Sequence, residues 1–244
     1  MELTLTSILL ISLAAIMVGF AKTSIGALGV LAVPIMAMAF PAKVSVGVLL
    51  PMLIMADIFA VIFYRRHCDW QVFLKIFPLT AVGVFIGYYM MGKIPPQNFS
   101  IVLGIVILSM LALEMGLSRG NSNRAGNIFY TAIIGIAAGI TTLLANSAGP
   151  LFAIYLLQLG LPKEKFVGTR SWYFLLLNCF KLPFVSDLNL VTWQTLKLNV
   201  MFLPLIFIGA LLGYKFLQKI NMNLFKTFIR IIALIAGLKF VFFS

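Results

Sequence analysis

Apolar runs follow one another down this chain with only short polar gaps between them. They fall at about residues 3–20, 27–40, 44–64, 71–91, 98–117, 127–143, 149–160, 166–185, 195–217 and 223–243. Inside hydrocarbon every backbone N–H and C=O must find a partner within the protein, so only helices and closed barrels can span. Runs of roughly 20 residues match a helix crossing about 30 Å of hydrocarbon, whereas a barrel strand needs about ten. The chain is therefore expected to be an all-α polytopic membrane protein. Only 10% of its residues are charged, against about 25% in a soluble domain, and no stretch is long and polar enough to make a separate soluble domain.

The net charge of +12 raises the question of nucleic acid. Most Lys and Arg residues lie in short loops between apolar runs, which is where membrane orientation puts them, so no nucleic-acid partner is expected. Alternating the loops between two sides collects Arg65, Arg66, Lys75, Arg119, Arg124, Lys163, Lys165, Lys215, Lys219 and Lys226 on one side. The other side collects Lys43, Lys93, Lys181, Lys197 and Lys239. Ten against five predicts that the first side is cytoplasmic and that both termini face outward. Met1-Glu2 lacks the positive start of a secretory signal, so residues 3–20 are expected to be a retained helix.

The chain also repeats itself. Pro78-Leu79, Gly83, Gly87-Tyr88, Lys93-Ile94 and Phe99 recur 126 residues later as Pro204-Leu205, Gly209, Gly213-Tyr214, Lys219-Ile220 and Phe225, eight identities in 22 positions. The polar stretch 118–126 separates a first repeat, 1–117, from a second, 127–244. Each repeat holds about five segments, and an odd number inverts the second relative to the first. Two inverted repeats with broken or re-entrant helices at the centre are the architecture of many secondary transporters. In both copies Gly-x-x-x-Gly favours close helix contact.

Segments two and seven, at about 14 and 12 residues, are too short to span comfortably. Each follows a break: Gly19-Phe-Ala-Lys-Thr-Ser-Ile-Gly26, and Gly139 through to Asn146-Ser-Ala-Gly149-Pro150. Either full crossings or re-entrant hairpins fit this pattern. Irregular backbone at membrane depth survives only inside protein or around a water-filled cavity. The helix starts near Gly26 and Gly149 carry partial positive charge, and Thr23, Ser24, Asn146 and Ser147 add polar donors. These residues are expected to form an anion cradle, with Lys22 and Arg170 supplying positive charge.

Asp57 is the fourteenth residue of the run Val44–Tyr64, near mid-membrane. It reads either as a proton acceptor that couples transport or as a buried ion-pair partner, for instance of Lys22. Arg170, Asn178 and Lys181 share a helical face, with Arg170 and Asn178 as substrate contacts and Lys181 reaching the outer interface. Trp70, Trp172 and Trp193 near segment ends read as interfacial anchors, and Glu114 as topological. Cys68 and Cys179 stand alone, and His67 is the only histidine. This inventory assembles neither a metal site nor a His-based active site, so no cofactor and no enzyme activity are expected. A passive anion channel or a structural subunit of a membrane complex are the rival classes. The oligomeric state is left open, a homo-oligomer included.

Taken together the chain resembles the TauE/SafE family of sulfite exporters over essentially its whole length. The likeness is carried by the Gly-containing breaks, Tyr64-Arg65-Arg66 with Asp69-Trp70, the repeated Pro-x4-Gly-x3-Gly element, and Arg170-Ser-Trp-Tyr-Phe with Asn178 and Lys181. The resemblance implies movement of sulfite, sulfonates or related organic anions across the bacterial inner membrane, often outward, with the breaks lining the path. Many members carry runs of adjacent glycines at the breaks, whereas this chain has Lys22-Thr-Ser-Ile-Gly26 and Asn146-Ser-Ala-Gly149. Side chains fill space that glycine leaves open, so the resemblance does not fix sulfite as the substrate.

Overall fold

The computed structural model describes residues 4–24, 26–99, scattered positions between 101 and 109, and 127–219. Most of the expected segment 98–117, the linker 118–126 and the segment 223–243 lie outside the described residues, as does the end of the second repeated element. The described residues form nine α-helices and no strand. They are α1 (Leu5–Thr23), α2 (Ala32–Ala39, after a 3-10 stretch Gly26–Leu31), α3 (Ala42–Tyr64), α4 (Trp70–Lys93) and α5 (Ile128–Ala145), then α6 (Gly149–Gln158), α7 (Lys163–Asp187), α8 (Trp193–Met201) and α9 (Leu203–Lys219). Helix starts are set by side-chain caps: Thr4 accepts from Ser7 N–H, Asp69 from Val72 N–H, and Asn127 from Phe129 N–H.

Helices α1, α3, α4 and α5 are long and apolar enough to cross a membrane, and α8 with α9, bent by 54° between them, are so as a pair. The sequence pattern suggests a single segment at 195–217, but the helix breaks at Phe202. Pro204 has no N–H to give the carbonyl four residues back, which is a sufficient cause for the bend. At 25 residues α7 is long enough to span, yet it is less apolar than those helices because it carries Arg170, Asn178 and Lys181 inside the bundle. Large apolar side chains such as Leu9, Leu74, Ile86, Phe129 and Leu212 point outward, as lipid requires.

The duplicated elements explain how the halves join. A methyl group on Gly83 would overlap the Ile136 carbonyl, and one on Gly87 would crowd Ile140. On Gly209 it would overlap the Ile16 carbonyl, and on Gly213 the Phe20 carbonyl. Ile136 and Ile140 lie 120 residues beyond Ile16 and Phe20, so the two crossings are equivalent. Thus α4 packs on α5, and α9 on α1, backbone against backbone through glycine. Residue numbers rise together along both pairs, so each pair is parallel.

Contacts at the helix ends fix the directions of the rest. Lys43, at the start of α3, donates to the carbonyls of Met91 and Ile94 at the end of α4 (2.9 and 3.1 Å). Lys163, at the start of α7, donates to Leu217 O near the end of α9 (3.0 Å). Gly47 abuts Leu190 and Gly168 abuts His67, so α3 and α7 are antiparallel. One end of the bundle therefore gathers the end of α3, the starts of α4 and α7, and the end of α9. The other gathers the start of α3 and the ends of α4 and α7. Among the described residues these are the two sets of loops that the charge alternation separates, with one correction: Lys181, reckoned with the outer interface, is 1% exposed inside the bundle.

Candidate functional site

Two helices stop inside the protein. The last carbonyls of any helix lack intrahelical partners. At the end of α1 the Arg170 guanidinium reaches three of them, the two N–H groups of its Nη2 shared among Ala21 O, Lys22 O and Ser24 O at 3.1, 2.8 and 2.9 Å. The Tyr64 hydroxyl donates to the remaining one, Thr23 O, at 3.0 Å. At the end of α5 the chain turns through Asn146 in the left-handed region (φ 50°), which asparagine tolerates. There the Lys181 ammonium donates to Thr142 O (2.9 Å), Thr142 Oγ1 (2.9 Å) and Asn146 Oδ1 (2.6 Å). Asn146 Nδ2 in turn donates to Val46 O at 2.9 Å. Each buried cation thus sits at the negative end of a broken helix, where its charge is favoured. Both cations come from α7, three turns apart on one face.

Between these two caps lies an ion pair. Lys22 Nζ is 2.8 Å from Asp57 Oδ1 and 3.0 Å from Oδ2, and 4.4 Å from the centroid of the Phe174 ring. Asn178 Nδ2 donates to Asp57 Oδ2 at 2.5 Å. The Asp57 carboxylate is fully buried, while Lys22 keeps 13% of its side chain exposed. Of the two readings open for Asp57, its partnership with Lys22 is therefore observed directly.

The two breaks touch. A methyl group on Gly149 would come within 3.4 Å of Gly26 O. One on Gly26 would overlap Arg170 Nη1 and lie 3.0 Å from its Cζ, so the guanidinium comes directly up against glycine. A cavity of about 30 Å³ remains among Lys22, Gly26, Asn146, Gly149, Arg170 and Asn178. That is the room of about one water molecule. Arg170 Nη1 is buried here and has no hydrogen-bond partner among the described residues.

Six of the expected site residues therefore meet around one cavity, with Asp57 directly behind Lys22. Three hydroxyls do not face it. Thr23 Oγ1 donates to Ala210 O (2.8 Å), binding α1 to α9. Ser24 Oγ donates to Phe20 O and Ser147 Oγ to Ala145 O (2.8 Å), each within its own turn. Sequence reasoning undervalued Lys181 and passed over Thr142 and Tyr64. The one available signal was the shared face of Arg170, Asn178 and Lys181. Chemically, Lys22 and Arg170 line the cavity, with the Asp57 carboxylate paired to Lys22 and Lys181 tied into the turn at the end of α5, a balance of charge that suits an anion.

A family model described as Sulfite exporter TauE/SafE matches residues 11–240, nearly the whole chain. No curated protein and no solved structure matches it.

Proposed function

The chain belongs to the TauE/SafE sulfite exporter family, a family of membrane anion transporters, and on that premise we propose that it is a secondary transporter exporting sulfite, sulfonates or related small organic anions. One observation carries the reading: Arg170 lines a cavity where two broken helices meet, and its buried Nη1 has no hydrogen-bond partner among the described residues. Guanidinium binds oxyanions through paired N–H groups, which an ammonium cannot do. Lys22 and the helix start at Gly149 add positive charge to the same space.

Two inverted repeats, 1–117 and 127–244, would turn about this cavity, exposing it to each side in turn. In support, α1 and α5 run in opposite directions, as do α3 and α7, and the equivalent crossings α1·α9 and α4·α5 exchange between halves. Re-entrant hairpins are the better of the two arrangements of the breaks, because their tips meet each other from opposite ends of the bundle. The carrier reading has the advantage over a channel that the space at the breaks narrows to about 30 Å³. Asp57 is the candidate for proton coupling, since protonating it would release Lys22 toward the anion. The bacterial inner membrane, with Arg65, Arg66 and Lys163 at the cytoplasmic face, completes the reading.

The test is flux of labelled sulfite and of a small sulfonate in vesicles reconstituted with the purified chain. Arg170→Gln should abolish it while protein yield and melting behaviour remain measurable. Undiminished flux in that variant removes Arg170 from the site and with it the observation on which the reading stands.

A further inference from the structure

We infer that Tyr64 is the inner door of the central cavity, and that a larger cavity walled by Tyr64 is the entry site from which an anion reaches Arg170; the inference rests on the carrier reading above. This second cavity, of about 270 Å³, lies among the end of α3, the start of α7 and the end of α9, at the end of the bundle read as cytoplasmic. Phe63, Tyr64 and Tyr214 supply aromatic walls, and His67, Lys163 and Glu164 polar ones. Arg65 and Arg66, both exposed, share the turn of His67, so the approach is basic although one acid is among the walls. Nothing in the central site accounts for this space, which is about nine times the volume of the cavity at the breaks.

Tyr64 stands where the two cavities approach each other. Its side chain walls the larger one, and its hydroxyl ends on Thr23 O at 3.0 Å. The carbonyls on either side of that one, of Lys22 and Ser24, are held by Arg170, which lines the smaller cavity. One phenol and the helix end it caps therefore stand between the entry site and the guanidinium. The closure is built to be broken. It depends on one neutral hydrogen bond, weaker than the charge-assisted bonds that Arg170 makes to the neighbouring carbonyls. Tyr64 is the last residue of α3, and its backbone (φ −121°, ψ 13°) has already left the helical region. Its ring meets Tyr214 on α9, with centroids 5.6 Å apart. Thr23 and Tyr214 thus both belong to the glycine-locked pair α1 and α9, so one shift of that pair against α3 frees hydroxyl and ring together. The larger cavity offers the space into which the ring can turn.

Accessibility from one face at a time tests the door. Ala21 lines the central cavity and is 1% exposed, so Ala21→Cys is a reporter there, in a chain that also carries Cys68→Ser and Cys179→Ser. A membrane-impermeant anionic thiosulfonate is applied to inside-out and to right-side-out vesicles. Tyr64→Ala should speed labelling from the inner face by about tenfold or more and leave the rate from the outer face unchanged. Tyr64→Phe keeps the ring and loses only its hold on Thr23 O, so the rise from the inner face should be smaller, about fivefold. Labelling at the parent rate from the inner face, or equal acceleration from both faces, overturns the inference; Tyr64→Phe decides it if Tyr64→Ala does not fold. Unchanged labelling beside intact anion flux refutes the door alone, whereas absence of flux in the unaltered chain refutes the carrier reading and the entry role with it.

Discussion

Removing the Lys22 ammonium isolates a carboxylate that has no access to solvent. At 2.8 Å the pair interacts by about 6 kcal/mol before desolvation is counted, taking an effective dielectric of about 20. Breaking a buried pair from one side costs about 3–5 kcal/mol, because the surviving charge keeps its desolvation and loses its partner. Lys22→Met should therefore destabilise by about 3 kcal/mol or more, and Asp57→Leu, which leaves the ammonium, by less, since Lys22 is 13% exposed and Asp57 is not exposed at all. The double variant Lys22→Met with Asp57→Leu removes both charges. It should sit within about 1–2 kcal/mol of the parent, the residue being the acceptor lost by Asn178. Reversible unfolding by SDS in mixed micelles gives all four corners of the cycle. If Lys22→Met lies within about 0.5 kcal/mol of the parent, or the double variant equals the sum of the singles, the pair is not the electrostatic centre described here.

Three further outcomes are expected. Gly19→Ala and Gly139→Ala should each cost about 1–3 kcal/mol by forcing apart equivalent crossings, at Ile206 and Ala210 in one and Thr80 and Gly83 in the other. Gly92→Ala, whose methyl would find its nearest neighbour at 3.8 Å, should be neutral or slightly stabilising in the same assay, and unequal costs at Gly19 and Gly139 would speak against equivalence. Gly26→Ala pushes on the flexible end of Arg170, so it should lower anion flux by about tenfold or more while melting stays near the parent; a fall in melting with flux intact would reverse that assignment. Burial, and secondarily the Asp69 carboxylate, pushes the Cys68 thiol up to about 11. The reactive thiolate is then scarce at neutral pH, so maleimide labelling should be slow and rise about tenfold per pH unit toward pH 11. Asp69→Asn should speed it, and an impermeant reagent should reach Cys68 only from the face predicted to be cytoplasmic.

The breaks were legible because polar and small residues interrupt apolar runs, and lipid tolerates that only where protein or water covers the backbone. The duplicated Gly-x-x-x-Gly was legible as a packing surface, but its partner was not, since glycine shows that something comes close without showing what. Thr23 and Ser147 illustrate a second limit. Composition supplies a hydroxyl at the right depth, yet only the local turn decides whether its proton goes to a cavity or to a neighbouring carbonyl, and here it goes to Ala210 and Ala145. Lys181 was misplaced for a related reason. It lies near the end of the apolar run, but α7 continues to Asp187, which sets Lys181 about 9 Å inside the helix end at 1.5 Å per residue. The pairing of Lys22 with Asp57, 35 residues apart, follows from the antiparallel return of the chain through α2 and was only one of several partnerships the sequence allowed.

Arg170 and Lys181 stand eleven residues apart on an unbroken helix, about 16 Å along its axis. A rod anchored at two points behaves as a seesaw. Tilting it by roughly 20° about the midpoint shifts the two anchors by about 3 Å in opposite senses, the length of a hydrogen bond. Such a swing loosens the grip on one broken helix end while pressing home the other, so the two ends cannot be freed together by rocking alone.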